Sequence, residues 1–212
     1  MKYEGMTTDQ LRMQVEKLFL QHIKLCQDNF LYFVQEVWPD FICRKEGDPK
    51  KWGHHQIIAN EFTEVAENKK GRLVINMPPR HTKSEFASVY FPAWIIGRFP
   101  KMKIMQVSHN TELAVRFGSK VRNIIDSPDY KQIFGDVKLR EDSKAKGRWE
   151  TNHGGEYYAA GVGASITGRG ADLLLLMTHT RNKTPCLILR WNVRMIGTHL
   201  GPDKDYNQEA QF

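Results

Sequence analysis

From about Asp9 to Trp38, apolar residues recur at helical spacing: Leu11, Val15, Leu18, Phe19 and Ile23, then Phe30, Phe33, Val34 and Val37. The polar pair Asp28-Asn29 divides this pattern into two helices, and Pro39 with the polar stretch from Arg44 to Lys51 forms a loop. A third helix is predicted over 55–67, with Ile57, Ile58, Phe62 and Val65 turned inward. The period then shortens. GRLVINM, from Gly71 to Met77, reads as a short buried strand; PPRHT turns, and a helical pattern runs from Lys83 to Ile96. KIMQVS, 103–108, is a second strand, and a helix over 111–125 opens on Asn110 or Thr111 as its cap. GEYYAAGV, 155–162, is a further strand. The run from Asp172 to Leu176 is apolar enough to be a strand covered on both faces. Strands alternating with helices predict an α/β fold with a parallel sheet.

Composition narrows the picture modestly. A chain of 212 residues makes one domain with room for a small added lobe, and at 41% hydrophobic it can bury a core. Its net charge of +7 suits an anionic partner such as nucleic acid or nucleotide, although a basic protein without such a partner has the same balance. The three cysteines, Cys26, Cys43 and Cys186, are widely spaced and form no C-x-x-C pair, so neither a disulfide framework nor a zinc site is expected. No signal-peptide pattern, internal repeat or low-complexity tract stands out, and no apolar run approaches the roughly 20 residues of a membrane span.

INMPPRHTKSE, directly after the first strand, occupies the place of a phosphate-binding loop. The usual pattern is G-x-x-x-x-G-K-[ST] between a strand and a helix. Backbone N–H groups there point at phosphate oxygens, the lysine adds charge, and the hydroxyl helps hold Mg²⁺. Lys83-Ser84 sit at the right end, but Met77 and Thr82 replace both glycines. The double proline can fix the turn at Met77. Thr82 is harder: either the loop avoids a left-handed conformation there, or it carries strain of about 1–3 kcal/mol. An ordinary strand–loop–helix with a capping serine fits the same residues.

Four ordered segments resemble the large subunit of phage terminases, the ATP-driven motor that packages DNA into viral capsids. PPRHTKSE differs from a loop of that family, PPRHGKSE, only at Thr82. VSHNTELAVRFGSKVRNII is similar to its second strand and following helix, EYYAAGVGASITGRGADLLLL to the approach to its Walker B strand, and WGHHQIIANEF to the segment whose glutamine reads adenine. The likeness runs from about Asn29 to Leu176. It implies ATP and Mg²⁺ as cofactors. Gln56, Pro79, Arg80, His81, Thr82, Lys83 and Ser84 would hold the nucleotide, with Lys83 on the β- and γ-phosphates and Ser84 on the metal. Arg80 would stabilise the transferred phosphoryl group as an arginine finger does, unless it contacts DNA or a neighbour. Arg169, between two glycines, is either a second phosphate sensor or a plain loop arginine.

In the family the leucine-rich strand ends in adjacent acids that position the metal and the attacking water. Here MTHTRNKTP follows, and Asp172 stands at the strand's amino end, away from where parallel sheets bind ligands. Reading possible codons of MTHTRNKTP one base earlier permits DDPHTEQDA, with acids where the family requires them. The resemblance therefore implies an N-terminal helical segment over 1–50, a partial P-loop ATPase domain over 51–176, and an out-of-frame, poorly structured tail over 177–212. The family's nuclease domain would lie beyond the chain. Hydrolysis is expected to be impaired. The implied partners are double-stranded DNA, the portal protein, the small terminase subunit and further copies on the portal, in the cytoplasm of an infected bacterial host rather than in the virion. A non-catalytic DNA- or partner-binding module, a decayed gene product and a helicase-like ATPase are the competing expectations.

Overall fold

The computed structural model describes residues 7–41, 53–78, 80–162, 169–179 and 185–193. Thr7 opens the first helix with a reciprocal cap: its hydroxyl accepts from the Gln10 N–H, and the Gln10 side chain accepts from the Thr7 N–H. This helix, α1 (Thr8–Asp28), ends where Asn29 adopts extended backbone angles. The Asn29 side chain then accepts from the N–H groups of Leu31 and Tyr32 and starts α2 (Phe30–Val37). The break thus falls at the polar pair, as the pattern predicts. Burial does not follow the period so faithfully. Leu11, Val15, Leu18 and Phe19 are exposed and Cys26 is the buried residue of α1, whereas α2 buries Phe30, Leu31, Phe33 and Val34. In α3 (His54–Ala66), Ile58, Phe62 and Val65 face inward, but Ile57 is exposed.

The remaining elements are β1 (Arg72–Asn76), α4 (Lys83–Glu85), a π-helical turn over Phe86–Tyr90, α5 (Phe91–Arg98), β2 (Lys103–Ser108), α6 (Thr111–Ile125), α7 (Pro128–Ile133), β3 (Leu139–Ala145), β4 (Arg148–Thr151), β5 (Glu156–Gly161), β6 (Ala171–His179) and β7 (Pro185–Val193). The strands form one sheet in the order β1-β7-β6-β2-β5-β4-β3. β2 pairs in parallel with β5 and β6, while β7 runs antiparallel to both β1 and β6, and β4 antiparallel to β3 and β5. The fold is α/β as expected, but the sheet is mixed rather than parallel.

The leucine-rich strand does not stop at Leu176 but continues through His179, and β7 forms within the stretch 177–212, where a poorly structured tail is expected from the sequence. The hairpin of β3 and β4, closed at Lys146-Gly147, was also unforeseen.

One sheet face carries the main core. Ile104, Tyr157, Ala159, Leu173, Leu175 and Met177 pack with the buried residues of α2, α3, α5, α6 and α7. Met105, Val107, Ala160 and Leu174 form a smaller cluster. Polar side chains pin the helices. The Trp94 Nε1–H donates to the Cys26 carbonyl at 3.1 Å, the Tyr130 hydroxyl to Ala93 O at 2.9 Å, and Gln27 Nε2 to Ile133 O at 2.6 Å. Where α6 crosses the sheet, Trp149 stacks on Tyr157 at 4.8 Å and donates to Gly118 O. A Cβ on Gly118 would come within 2.8 Å of the Tyr157 ring and 3.0 Å of Lys146 O, so glycine permits this approach.

Candidate phosphate-binding loop

β1, β6, β2 and β5 run in one direction, so their carboxyl ends share an edge. Ladder pairing sets Asn76, Cys186 and Thr178 in one row, and Ile75, Leu187 and Met177 in the next. β7 separates β1 from β6, so these two strands lie about 10 Å apart. The loop leaving β1 crosses that gap before the chain turns helical at Lys83. Two non-glycine residues in it take left-handed backbone angles, Arg80 at φ 66° and Thr82 at φ 58°, ψ 1°. The left-handed alternative posed by the sequence is therefore the one adopted at Thr82.

Lys83 is buried, with 4% of its surface exposed, and its Nζ donates back across the loop to Met77 O at 3.3 Å. The Ser84 hydroxyl lies 4.0 Å from Met177 Sδ. Glu85, next along, forms an ion pair with Lys120. The helix widens to π geometry over Phe86–Tyr90 just before Pro92. Proline has no N–H to give the Ser88 carbonyl, and its ring crowds that carbonyl, so a wider turn relieves the clash.

A histidine cluster backs the loop. The Thr82 hydroxyl donates to His81 O at 2.7 Å, and His55 Nε2 lies 2.7 Å from the Thr82 Oγ1. One hydroxyl has one proton, so His55 is the donor in the second contact and carries its proton on Nε2. The His54 and His55 rings are 3.9 Å apart, and His81 lies 5.7 Å from His54. Burial, reinforced by the neighbouring His54 and His81, brings the His55 pKa down to about 4. Burial also lowers that of His54, whose Nε2 has no hydrogen-bond partner among the described residues. Behind His55, Phe41 meets its ring edge-on at 5.0 Å and stacks on Trp38, which in turn stacks on Tyr90.

The predicted nucleotide residues are thus only partly gathered. Thr82, Lys83 and Ser84 are together at the start of the helix. Arg80 and His81 are exposed on the loop beside them, and Pro79 lies outside the described residues. Gln56 sits in the first turn of α3, next to the histidine that holds Thr82, and donates to Asn60 Oδ1 at 2.9 Å. Arg169 is not brought to the loop. It precedes β6, roughly 25 Å along the strand from Met177. It pairs there with Glu156 at 3.4 Å and stacks on Tyr158, 4.3 Å from the ring centre. It belongs to the opposite edge of the sheet from the loop. Asp172 is also at that edge, accepting the Lys103 N–H at 2.9 Å.

Sequence reasoning missed Met177, His54 and His55 as neighbours of the loop. The HH pair at the start of α3 was the available signal for the histidines; Met177 had none, because its neighbour depends on strand order.

The donor set tests the expected cofactors differently. A lysine drawn inside the loop fits an anion in the cradle, since a phosphate could take over the long bond from Nζ to Met77 O. Magnesium requires hard oxygen donors at about 2.0–2.1 Å in an octahedron. Beside Ser84 the structure puts a thioether, a soft donor that suits other metals. Met177 therefore brings no hard oxygen to a magnesium ion held by Ser84.

No helix among the described residues is long and apolar enough to cross a membrane. Comparison of the chain with protein-family models, with curated proteins and with solved structures finds no match in any of the three.

Proposed function

We propose that this chain is the nucleotide-binding lobe of a phage terminase large subunit, with a surviving phosphate cradle and an incomplete hydrolytic apparatus. The observation that carries this reading is the position of Lys83 and Ser84. They stand at the start of the helix after β1, at the carboxyl edge of the sheet, with Met177 against Ser84 where the family's acids would stand. In this reading Lys83 offsets triphosphate charge, Arg80 faces the terminal phosphoryl group from the exposed loop, and Gln56 reads the base from the adjoining first turn of α3. Arg169 has no part. ATP bound here would supply the phosphoryl group. No hydrolytic step is assigned, because the thioether beside Ser84 does not suit the metal such a step requires.

Double-stranded DNA, the portal, the small subunit and the infected-cell cytoplasm follow from the same resemblance, as does an out-of-frame origin for residues 177–212. The gene's sequence over those codons tests that origin directly: the alternate frame must encode acids immediately after the leucines.

The functional test is equilibrium binding of a fluorescent ATP analogue beside a phosphate-release assay. Saturable binding, weakened at least about tenfold by Lys83→Ala, with release near background supports the proposal; one lost charge-assisted contact accounts for that factor. Brisk Lys83-dependent hydrolysis overturns the incomplete apparatus, and binding indifferent to Lys83 overturns the cradle. The net charge of +7 favours a second reading, a DNA-binding module without nucleotide. Salt-sensitive duplex binding unaffected by Lys83→Ala, without nucleotide binding, would establish it.

A further inference from the structure

Away from the loop, α1 and α2 bring together three side chains of different donor type. His22 and Cys26 are one helical turn apart on α1, so they share a face, and Glu36 reaches them from α2. His22 Nε2 lies 2.9 Å from Glu36 Oε2 and 3.7 Å from Cys26 Sγ, and all three donor atoms lie within 4.8 Å of one another. We propose that His22, Cys26 and Glu36 form a binding site for a borderline-soft divalent transition metal of the zinc type.

The geometry supports this in three ways. Bonds of about 2.0–2.3 Å to nitrogen, oxygen and sulfur at tetrahedral angles place donor atoms roughly 3.3–3.6 Å apart, so the observed separations need small side-chain adjustments and no backbone rearrangement. The backbone on both sides is already fixed: Trp94 holds the Cys26 carbonyl, and the Asn29 cap sets the start of α2. Finally, the site is closed on one side and open on the other. Cys26 is fully buried, whereas the His22 and Glu36 side chains are 46% and 39% exposed, leaving room for water as a fourth ligand. A mixed nitrogen, sulfur and carboxylate set selects zinc or cobalt over magnesium or calcium. On binding, the Cys26 thiol gives its proton to solvent and the thiolate takes the metal.

The consequence is structural. The buried residue of α1 is Cys26, so a metal at this point would fasten α1 to α2 beside the apolar core that Cys26 already joins. The set follows no C-x-x-C pattern: His22 and Cys26 stand four residues apart on one helix, and Glu36 joins only through the turn at Asn29.

Cobalt(II) titration of the full chain tests this, since a thiolate ligand produces a charge-transfer band in the near ultraviolet and a tetrahedral site produces intense visible bands. The expected result is one equivalent of cobalt with both features, displaced by zinc. Cys26→Ser abolishes the charge-transfer band, whereas Cys43→Ser with Cys186→Ser retains it. His22→Ala, a change at an exposed side chain that spares the core, weakens cobalt binding more than about tenfold. The proposal is overturned if no thiolate band forms in the parent chain. It is also overturned if the band survives Cys26→Ser, or if His22→Ala leaves the affinity unchanged.

Discussion

Thr82 offers the sharpest test of the loop. A β-branched residue in the left-handed region costs about 1–2 kcal/mol relative to a right-handed or extended conformation, and Thr82 is there at φ 58°, ψ 1°. Its hydroxyl offsets part of that cost by donating to His81 O and accepting from His55, together worth about 1–2 kcal/mol net. Thr82→Gly removes the strain and both hydroxyl contacts, and it adds about 0.5–1 kcal/mol of chain entropy to the unfolded state. The losses exceed the relief by about 0.5–1 kcal/mol, so Thr82→Gly should be slightly less stable than the parent chain.

Thr82→Ala loses the same hydroxyl but keeps a Cβ in the left-handed position. It should therefore be less stable than Thr82→Gly by about 1 kcal/mol, despite glycine's greater unfolded entropy. For a chain of this size that difference is about 2–4 °C in Tm. Urea titrations of the two variants side by side give the comparison, because the missing hydroxyl is common to both. An alanine variant as stable as the glycine variant, or more so, would refute the left-handed loop and with it the strained cradle.

Gly118→Ala should destabilise by about 1–3 kcal/mol, because the new methyl meets the Tyr157 ring and the Lys146 carbonyl; thermal unfolding reads it out. The His55 pKa falls from its ordinary 6.5 to about 4, so the folded state favours the neutral ring. Its contribution to stability is complete above about pH 6.5 and is lost as pH falls toward 4. His55→Gln keeps a donor for Thr82 without titrating, and should flatten the Tm profile over that window. Met177→Asp places a carboxylate at a nearly buried position against Ser84. In chelator it should destabilise by about 2–4 kcal/mol, and magnesium should recover part of the loss. Absence of any magnesium effect on the unfolding midpoint would reject the juxtaposition with Ser84.

Local chemistry made much of the fold readable. β2 and α6 occupy the residues predicted for them, with Asn110 as the cap of α6, its side chain accepting from Glu112 N. Asn29 breaks the first helical pattern because its amide competes for the next backbone N–H groups. Periodicity told less about burial: Leu18 and Phe19 have helical spacing but stay exposed. The six-residue α7 was too short to show a period, although Ser127 and Pro128 form a start signal. β3 escaped notice because Arg140, Glu141 and Asp142 leave it no alternating apolar face, and it lies at the sheet edge, where charge is tolerated. The loop itself was legible as strand–turn–helix. Which side chains surround it was not. Arg169 falls at one edge of the sheet and Met177 at the other, and a glycine-flanked arginine carries no information about edges.

Strand order also changes what residues 177–212 mean for the loop. A poorly structured tail could be lost without consequence for β1. In the structure β1 is an edge strand whose ladder partner is β7, from Arg72 opposite Arg190 to Asn76 opposite Cys186. β7 therefore joins the strand that launches the loop to the rest of the sheet, and it does so antiparallel among neighbours that all run the other way. If that pairing holds, the amides of 185–193 and those of 72–76 that face β7 must resist hydrogen exchange, and opening of β7 must expose β1, because an edge strand has no second ladder partner. Mass-spectrometric exchange on the full chain measures both segments at once. Rapid exchange in 185–193 with protection retained in 72–76 would show that β1 is held by something other than β7. The roughly 10 Å step from β1 across to Ser84 and Met177 would then lose its basis.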